Sequence, residues 1–195
     1  MGYNINMTVK VFRKKGNVDI KDVKKLAKAL KEREVTIGVH KEEGQALNPE
    51  TQTPVIKYAQ WNEFGTEHKA KHNYRFTRHG QEVFIPAGSD IGIPKRPFVR
   101  VKNSPELRNA IKLWHRKIKM GLYKNLKYST GGRVANELLG EVGRLYLHQM
   151  WHRLQFSSRY YPQNKPLTEK LKGFNHPLID TGTLFQSLRY KVRHR

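Results

Sequence analysis

Apolar residues fall at alternate positions at the start of the chain, at Ile5, Met7, Val9 and Val11, and this period of two predicts a half-buried strand. Asp19 then stands as a helix cap before Ile20, Val23, Leu26, Ala27 and Leu30, one apolar stripe whose opposite face is lysine. Val35, Ile37 and Val39 return to the period of two, so the chain opens strand, helix, strand. Residues 41–54 read as a loop closed by Thr53-Pro54, with threonine capping and proline in the first helical position. The helix that follows buries Val55, Ile56, Ala59 and either Tyr58 or Trp61, and Gly65 ends it after Asn62-Glu63-Phe64.

Between Glu67 and Asp90 the period changes again. Tyr74 and Phe76, then Val83 and Ile85, flank Arg78-His79-Gly80 and predict a β-hairpin, read as a protruding arm over residues 67–92. Its first half carries His68, Lys69, Lys71, His72, Arg75, Arg78 and His79, which suits an acidic partner and equally suits a solvated hairpin. Ser104-Pro105 repeats the cap-and-proline signature before Leu107, Ile111, Trp114 and Ile118, while Arg108, Lys112, Arg116 and Lys119 form a neighbouring basic stripe. That stripe reads as DNA-facing or as a plain solvated face.

A long helix reaching about Phe156 is predicted by Val134, Leu138, Val142, Leu145 and Gln149. Gly140 and Gly143 inside it are poor helix formers, and close packing of another backbone is the expected reason. Thr168 caps a short turn ended by Gly173; Asp180 or Thr181 caps a helical turn holding Leu184 and Leu188; Tyr190 and Val192 suggest a last strand. The fold class is therefore α+β: a small mixed or antiparallel sheet packed by two long helices and shorter ones, with an inserted β-hairpin arm, in one domain over residues 1–195.

Composition adds one strong fact. Among 195 residues, 38 Lys and Arg stand against 16 Asp and Glu, a formal charge of +22, which exceeds what solubility needs and points to nucleic acid or acidic protein nearby. No window approaches a membrane span and MGYNINMTVK lacks a signal peptide's apolar stretch, so the chain reads as soluble and intracellular when made. Cysteine is absent, which excludes disulfides and thiolate chemistry.

Catalytic motifs give little. His148 and His152, and His68 and His72, are four residues apart, but neither pair has the glutamate of a zinc-protease helix, and two ligands leave a metal site incomplete. No phosphate-binding glycine loop occurs, and the acids are too scattered to hold Mg²⁺. The expectation is a non-enzyme without metal or cofactor.

Read together in order, Val35 to Val39 (VTIGV), Asn62 to Thr66 (NEFGT), Ile93 to Phe98 (IPKRPF) and Pro177 to Leu184 (PLIDTGTL) with Ser187 resemble the neck or tail-completion proteins of tailed bacteriophages, the minor tail protein Z-like or virion morphogenesis family. The resemblance covers roughly residues 35–192, and one departure stands out: that family passes from the FGT turn to the proline corner within a few residues, whereas here Glu67 to Gly92 intervene as an insertion.

The resemblance implies a structural virion protein, part of a ring-shaped neck between head and tail through which DNA passes, assembled in the host cytoplasm from copies of itself, six rather than twelve. Head-closure, tail-terminator or tail-tube proteins would be its neighbours. A ring needs head-to-tail contacts between unlike patches, and Arg96, Pro97, Phe98 and Arg100 of the stiff corner, with Tyr74, Phe76 and Arg78 of the hairpin, are the expected contact residues. Phe98 also admits a place in the core, and Asn62, Glu63 and Gly65 admit a local capping role. The alternative is a freestanding, non-specific DNA- or RNA-binding protein that grips phosphates.

Overall fold

The computed structural model describes residues 19–78, 80–100, 105, 108–109, 111–113, 115–116 and 130–195. The expected first strand, and Leu107, Trp114, Ile118 and Lys119 of the expected basic helix, lie outside the described residues. The fold is α+β, with two small antiparallel sheets. Two compact units share the chain, one comprising Met1–Gly38, Val101–Gln149 and Leu188–Arg195, the other Val39–Arg100 and Met150–Ser187.

In the first unit, α1 (Ile20–Lys31) starts where expected, with Asp19 accepting a hydrogen bond from the Lys21 amide at 2.9 Å. Its buried edge differs slightly from the sequence stripe. Leu26 and Ala29 are buried and Leu30 packs beside them, against Val134, Ala135 and Leu138, while Ile20 at the start of the helix is 65 % exposed. The helix α4 (Gly131–Gln155) supplies those partners, and Gly131 is what lets it approach: a Cβ there would lie 3.1 Å from the Leu26 nitrogen of α1. Arg33 ties the pair, donating from Nη1 to the Ala29 carbonyl at the end of α1 and from Nε to Asn136 Oδ1, both at 2.9 Å.

The strand β1 (Arg33–Val39) follows, with Val35 and Ile37 buried, and pairs with β4 (Leu188–His194). The Arg195 amide donates to the Glu32 carbonyl and Thr36 Oγ1 to the Lys191 carbonyl. Leu188, expected on a helical turn, is instead the fully buried first residue of β4. Gly143 is indeed a close-packing site, but its neighbour is a side chain: a Cβ there would stand 2.5 Å from the Tyr190 ring, whereas one at Gly140 would be 3.8 Å away.

The second unit begins at Val39. Residues 41–54 are not all loop, since a short helix α2 (Lys41–Gly44) precedes a turn that Asn48 organises by accepting from the amides of Glu50 and Thr51. Pro54, not Thr53, holds the cap position of α3 (Val55–Phe64), and no side chain caps it; Val55 N–H finds the Ala46 carbonyl instead. The strands β2 (Tyr74–Arg78) and β3 (Gln81–Ile85) form the expected hairpin, Tyr74 against Ile85 and Arg78 against Gln81.

This hairpin is seated on one side rather than projecting free. Val83 and Ile85 are buried with Ala70 and packed by Ile91, Leu167 and Leu171, the last two from α6 (Pro166–Lys172). Pro166 itself opens that helix and Gly173 closes it in a left-handed conformation, so Thr168 lies inside the first turn and does not cap it. After α4, the single turn α5 (Ser157–Tyr160) leads to α6, and α7 (Thr183–Ser187) starts beyond Gly182, whose carbonyl accepts from Gln186, so that neither Asp180 nor Thr181 occupies the cap.

Replacing the two helix glycines should give opposite signs. Gly143→Ala forces the Tyr190 ring aside and should lower unfolding free energy by about 1–3 kcal/mol, while Gly140→Ala meets only ordinary contact and should raise it by up to about 1 kcal/mol. Urea denaturation of both variants reads the difference; equal effects would mean that Tyr190 does not pack there.

Candidate functional site

The three segments that carry the family resemblance in the second unit meet at one place. At the end of α3, Asn62 is locally engaged, its Nδ2 donating to the Tyr58 carbonyl at 2.8 Å. Its own carbonyl accepts the Arg96 amide at 2.7 Å, and the Thr66 amide and hydroxyl exchange hydrogen bonds with the Ile93 carbonyl and amide. Gly65 is required twice, by its φ of 76° and by the Lys95 nitrogen, which a Cβ would approach to 3.1 Å.

Glu63 is the joint. It sits on the same face of α3 as Val55 and Ala59, four residues apart each time, and is 4 % exposed. One carboxylate oxygen, Oε2, accepts from the amides of both Phe98 (2.8 Å) and Val99 (2.9 Å), while Oε1 faces Arg100 Nε at 3.8 Å. The capping role expected for Glu63 is thus replaced by a long-range one: the residue fixes the proline corner to α3. Its signal in the sequence was a carboxylate falling on an otherwise apolar helical stripe.

Phe98 has no exposed surface and Arg96 is 5 % exposed, so what these two residues do is within the chain. Arg96 Nη2 donates to the carbonyls of Pro162 (3.3 Å) and Gln163 (3.4 Å), its Nε finds no hydrogen-bond partner, and burial holds the guanidinium below its usual pKa. The Pro97 carbonyl accepts from the Tyr161 hydroxyl at 2.5 Å and from Arg153, which also reaches the Arg100 carbonyl at 3.3 Å. Sequence reasoning missed Arg153 and Tyr161, which lie more than fifty residues from the corner and carry no local signal.

The PLIDTG segment closes the assembly. Ser157, fully buried, donates to the Pro177 carbonyl and meets His176 Nδ1 at 3.1 Å. Leu178 takes a φ of 64°, costly for a branched side chain. Lys172 reaches across, donating to the carbonyls of His176 (2.7 Å) and Ile179. Burial pushes its pKa down to about 8, with Arg96 adding to the effect and Asp180 opposing it. Tyr58, facing Thr183 without an ideal hydrogen bond, is pushed up to about 12, chiefly by burial and further by Asp180.

Of the other expected contact residues, Pro97 is half-buried. Arg100, Tyr74 and Phe76 are exposed, as are Arg108, Lys112 and Arg116, while the Arg78 side chain and Lys119 lie outside the described residues. Among the described residues no three His, Asp or Glu side chains converge as a metal site would require, and no helix is long and apolar enough to cross a membrane. His152 is engaged by the Tyr160 hydroxyl at 3.2 Å. An open cleft of about 540 Å³ lies between Thr66, Glu67, His68, Pro94 and the ion pair of Asp90 with Lys165 at 2.6 Å; Lys165 and the Gly92 amide hold the Asp90 carboxyl below its usual pKa. Comparison of the chain with protein-family models, with curated proteins and with solved structures finds no match.

Glu63→Ala orphans two amides and should destabilise by roughly 2–5 kcal/mol, whereas Glu63→Gln, whose single oxygen can still accept from both, should cost less than half as much; equal losses in thermal and urea melts would show that charge, not the acceptor, is what matters. Lys172 has a folded pKa below its unfolded one, so the unfolded chain binds the extra proton between about pH 8 and 10.5 and stability rises across that window. Tyr58 works the other way, its raised pKa removing stability between about pH 10 and 12. Urea melts across this range, referenced to Lys172→Met, should show the first rise vanish in the variant.

Proposed function

We propose that this chain is a structural protein of a tailed-phage virion, one copy of the ring-shaped neck that joins the head to the tail and through which DNA passes. One observation carries the reading: three of the segments whose order resembles the neck or tail-completion family, NEFGT, IPKRPF and PLIDTGTL, meet in the second unit, where Glu63 and the Asn62 carbonyl bind the proline corner and Tyr58 faces Thr183. Segments distant in sequence that share one packed joint are what a common fold requires, whereas accidental matches would scatter. A stiff corner with exposed Arg100 beside it, and a seated hairpin with Tyr74 and Phe76 exposed, also suit repeated contacts between unlike patches.

In this reading the protein acts in the virion without enzymatic chemistry, metal or cofactor, assembles in the host cytoplasm with six copies rather than twelve, and meets head-closure, tail-terminator or tail-tube proteins. The second reading, a freestanding non-specific nucleic-acid binder, is favoured by the exposed Arg108, Lys112 and Arg116 and by the exposed lysines of α1.

Native mass spectrometry with negative-stain imaging, with and without short duplex DNA, separates the two. A closed ring is expected. A monomer that binds duplex DNA and loses roughly 10³- to 10⁵-fold in affinity between about 50 and 200 mM salt would overturn the neck reading in favour of the second.

A further inference from the structure

Cations lie over aromatic rings at unusual density in the second unit. Arg75 sits 4.9 Å from the Phe84 ring, Arg100 5.6 Å from Phe64, Arg153 5.8 Å from Tyr160, Arg159 4.9 Å from Phe156, and Lys172 4.8 Å from Phe174. Structures in general carry such a pair roughly once per 70–80 residues, so the clustering calls for a reason beyond chance packing. Two of these pairs are continuous with each other. Arg153 donates to the Arg100 carbonyl at 3.3 Å, so Phe64, Arg100, Arg153 and Tyr160 form one strip beside the proline corner, with Phe64 39 % and Tyr160 47 % exposed.

The chemistry of the strip selects its occupant. Arg100 Nε faces Glu63 Oε1 at 3.8 Å, and Arg153 donates to the Pro97 and Arg100 carbonyls, so both guanidinium groups already have partners within the chain. Part of the ordering cost of association is thereby met. Exposed rings interleaved with fixed arginines are the composition of protein interface centres, where Tyr, Phe and Arg are enriched and Lys is depleted. Phosphate backbones need no rings, and the exposed lysines of α1 suit them better. The strip presents two arginines, so the surface that complements it is acidic.

We infer that the Phe64–Arg100–Arg153–Tyr160 strip docks an acidic protein surface whose carboxylates are set among aromatic side chains. The inference goes beyond the neck reading and does not depend on it, since the strip is argued from its own geometry.

The test uses the full chain and two labelled peptides of equal length and charge, one alternating Glu and Tyr and the other alternating Glu and Ser, with oligothymidine as a third probe, in fluorescence anisotropy at about 150 mM salt. The Glu-Tyr peptide should bind roughly three- to tenfold more tightly than the Glu-Ser peptide. Tyr160→Ala and Phe64→Ala, both at exposed rings and each checked for an unchanged melting temperature, should abolish that preference. The charge-reducing pair Lys24→Gln and Lys31→Gln on α1 should weaken both peptides equally and leave the ratio alone. Equal binding of the two peptides, or a preference that survives both ring deletions, overturns the inference. So does oligothymidine outbinding both peptides and losing affinity on Tyr160→Ala, which would assign the strip to single-stranded nucleic acid. Ring formation is read separately by native mass spectrometry, so failure of the strip and failure of the neck reading cannot be confused.

Discussion

The second unit depends on one carboxylate. Two successive amides, of Phe98 and Val99, point to the same side after the proline corner, a concave arrangement of N–H groups that attracts an anion. The chain supplies that anion itself, from Glu63 on α3. Because Pro97 has no N–H and holds its φ, the Phe98 and Val99 amides are the next donors the corner offers, and the Glu63 oxygen that binds them fixes where Phe98 enters the core and where Arg100 emerges. Burial strengthens the bonds and makes the carboxylate costly to leave unpaired.

Positive charge in this protein is of two kinds. The lysines of α1 stand in water, where their repulsion is screened. Arg96 and Lys172, by contrast, are drawn into the second unit and lose hydration, as their lowered pKa values record. Backbone carbonyls of Pro162, Gln163, His176 and Ile179 replace the lost water. These cations serve as clasps for irregular segments whose carbonyls would otherwise be buried without donors.

Rigidity at the corner and exposure beside it are connected. The same Glu63 that seats the Phe98 and Val99 amides also faces Arg100, and Arg100 covers Phe64, its neighbour in α3. Arg153 repeats the pattern from α4, bonding the corner's carbonyls and covering Tyr160. A surface built this way takes part of its order from the interior.

Much of the architecture was legible in the sequence, because local periodicity and turn chemistry act over a few residues: the Asp19 cap, the alternation of Val35 and Ile37, the hairpin around residues 79–80, the Gly65 stop and the long helix through Val134 and Val142. Boundaries that hang on a single residue slipped, as at Thr53, Thr168 and Leu188, where the competing states differ little in local energy. Glu63 showed in the sequence only as an acid on an apolar stripe; its amide partners lie more than thirty residues away. That Gly143 makes room for Tyr190, that Arg96 and Lys172 go inside, and that Phe64 and Tyr160 join one strip were decided by tertiary structure alone. Desolvation and shape complementarity belong to pairs of surfaces, and no stretch of sequence contains both members of such a pair.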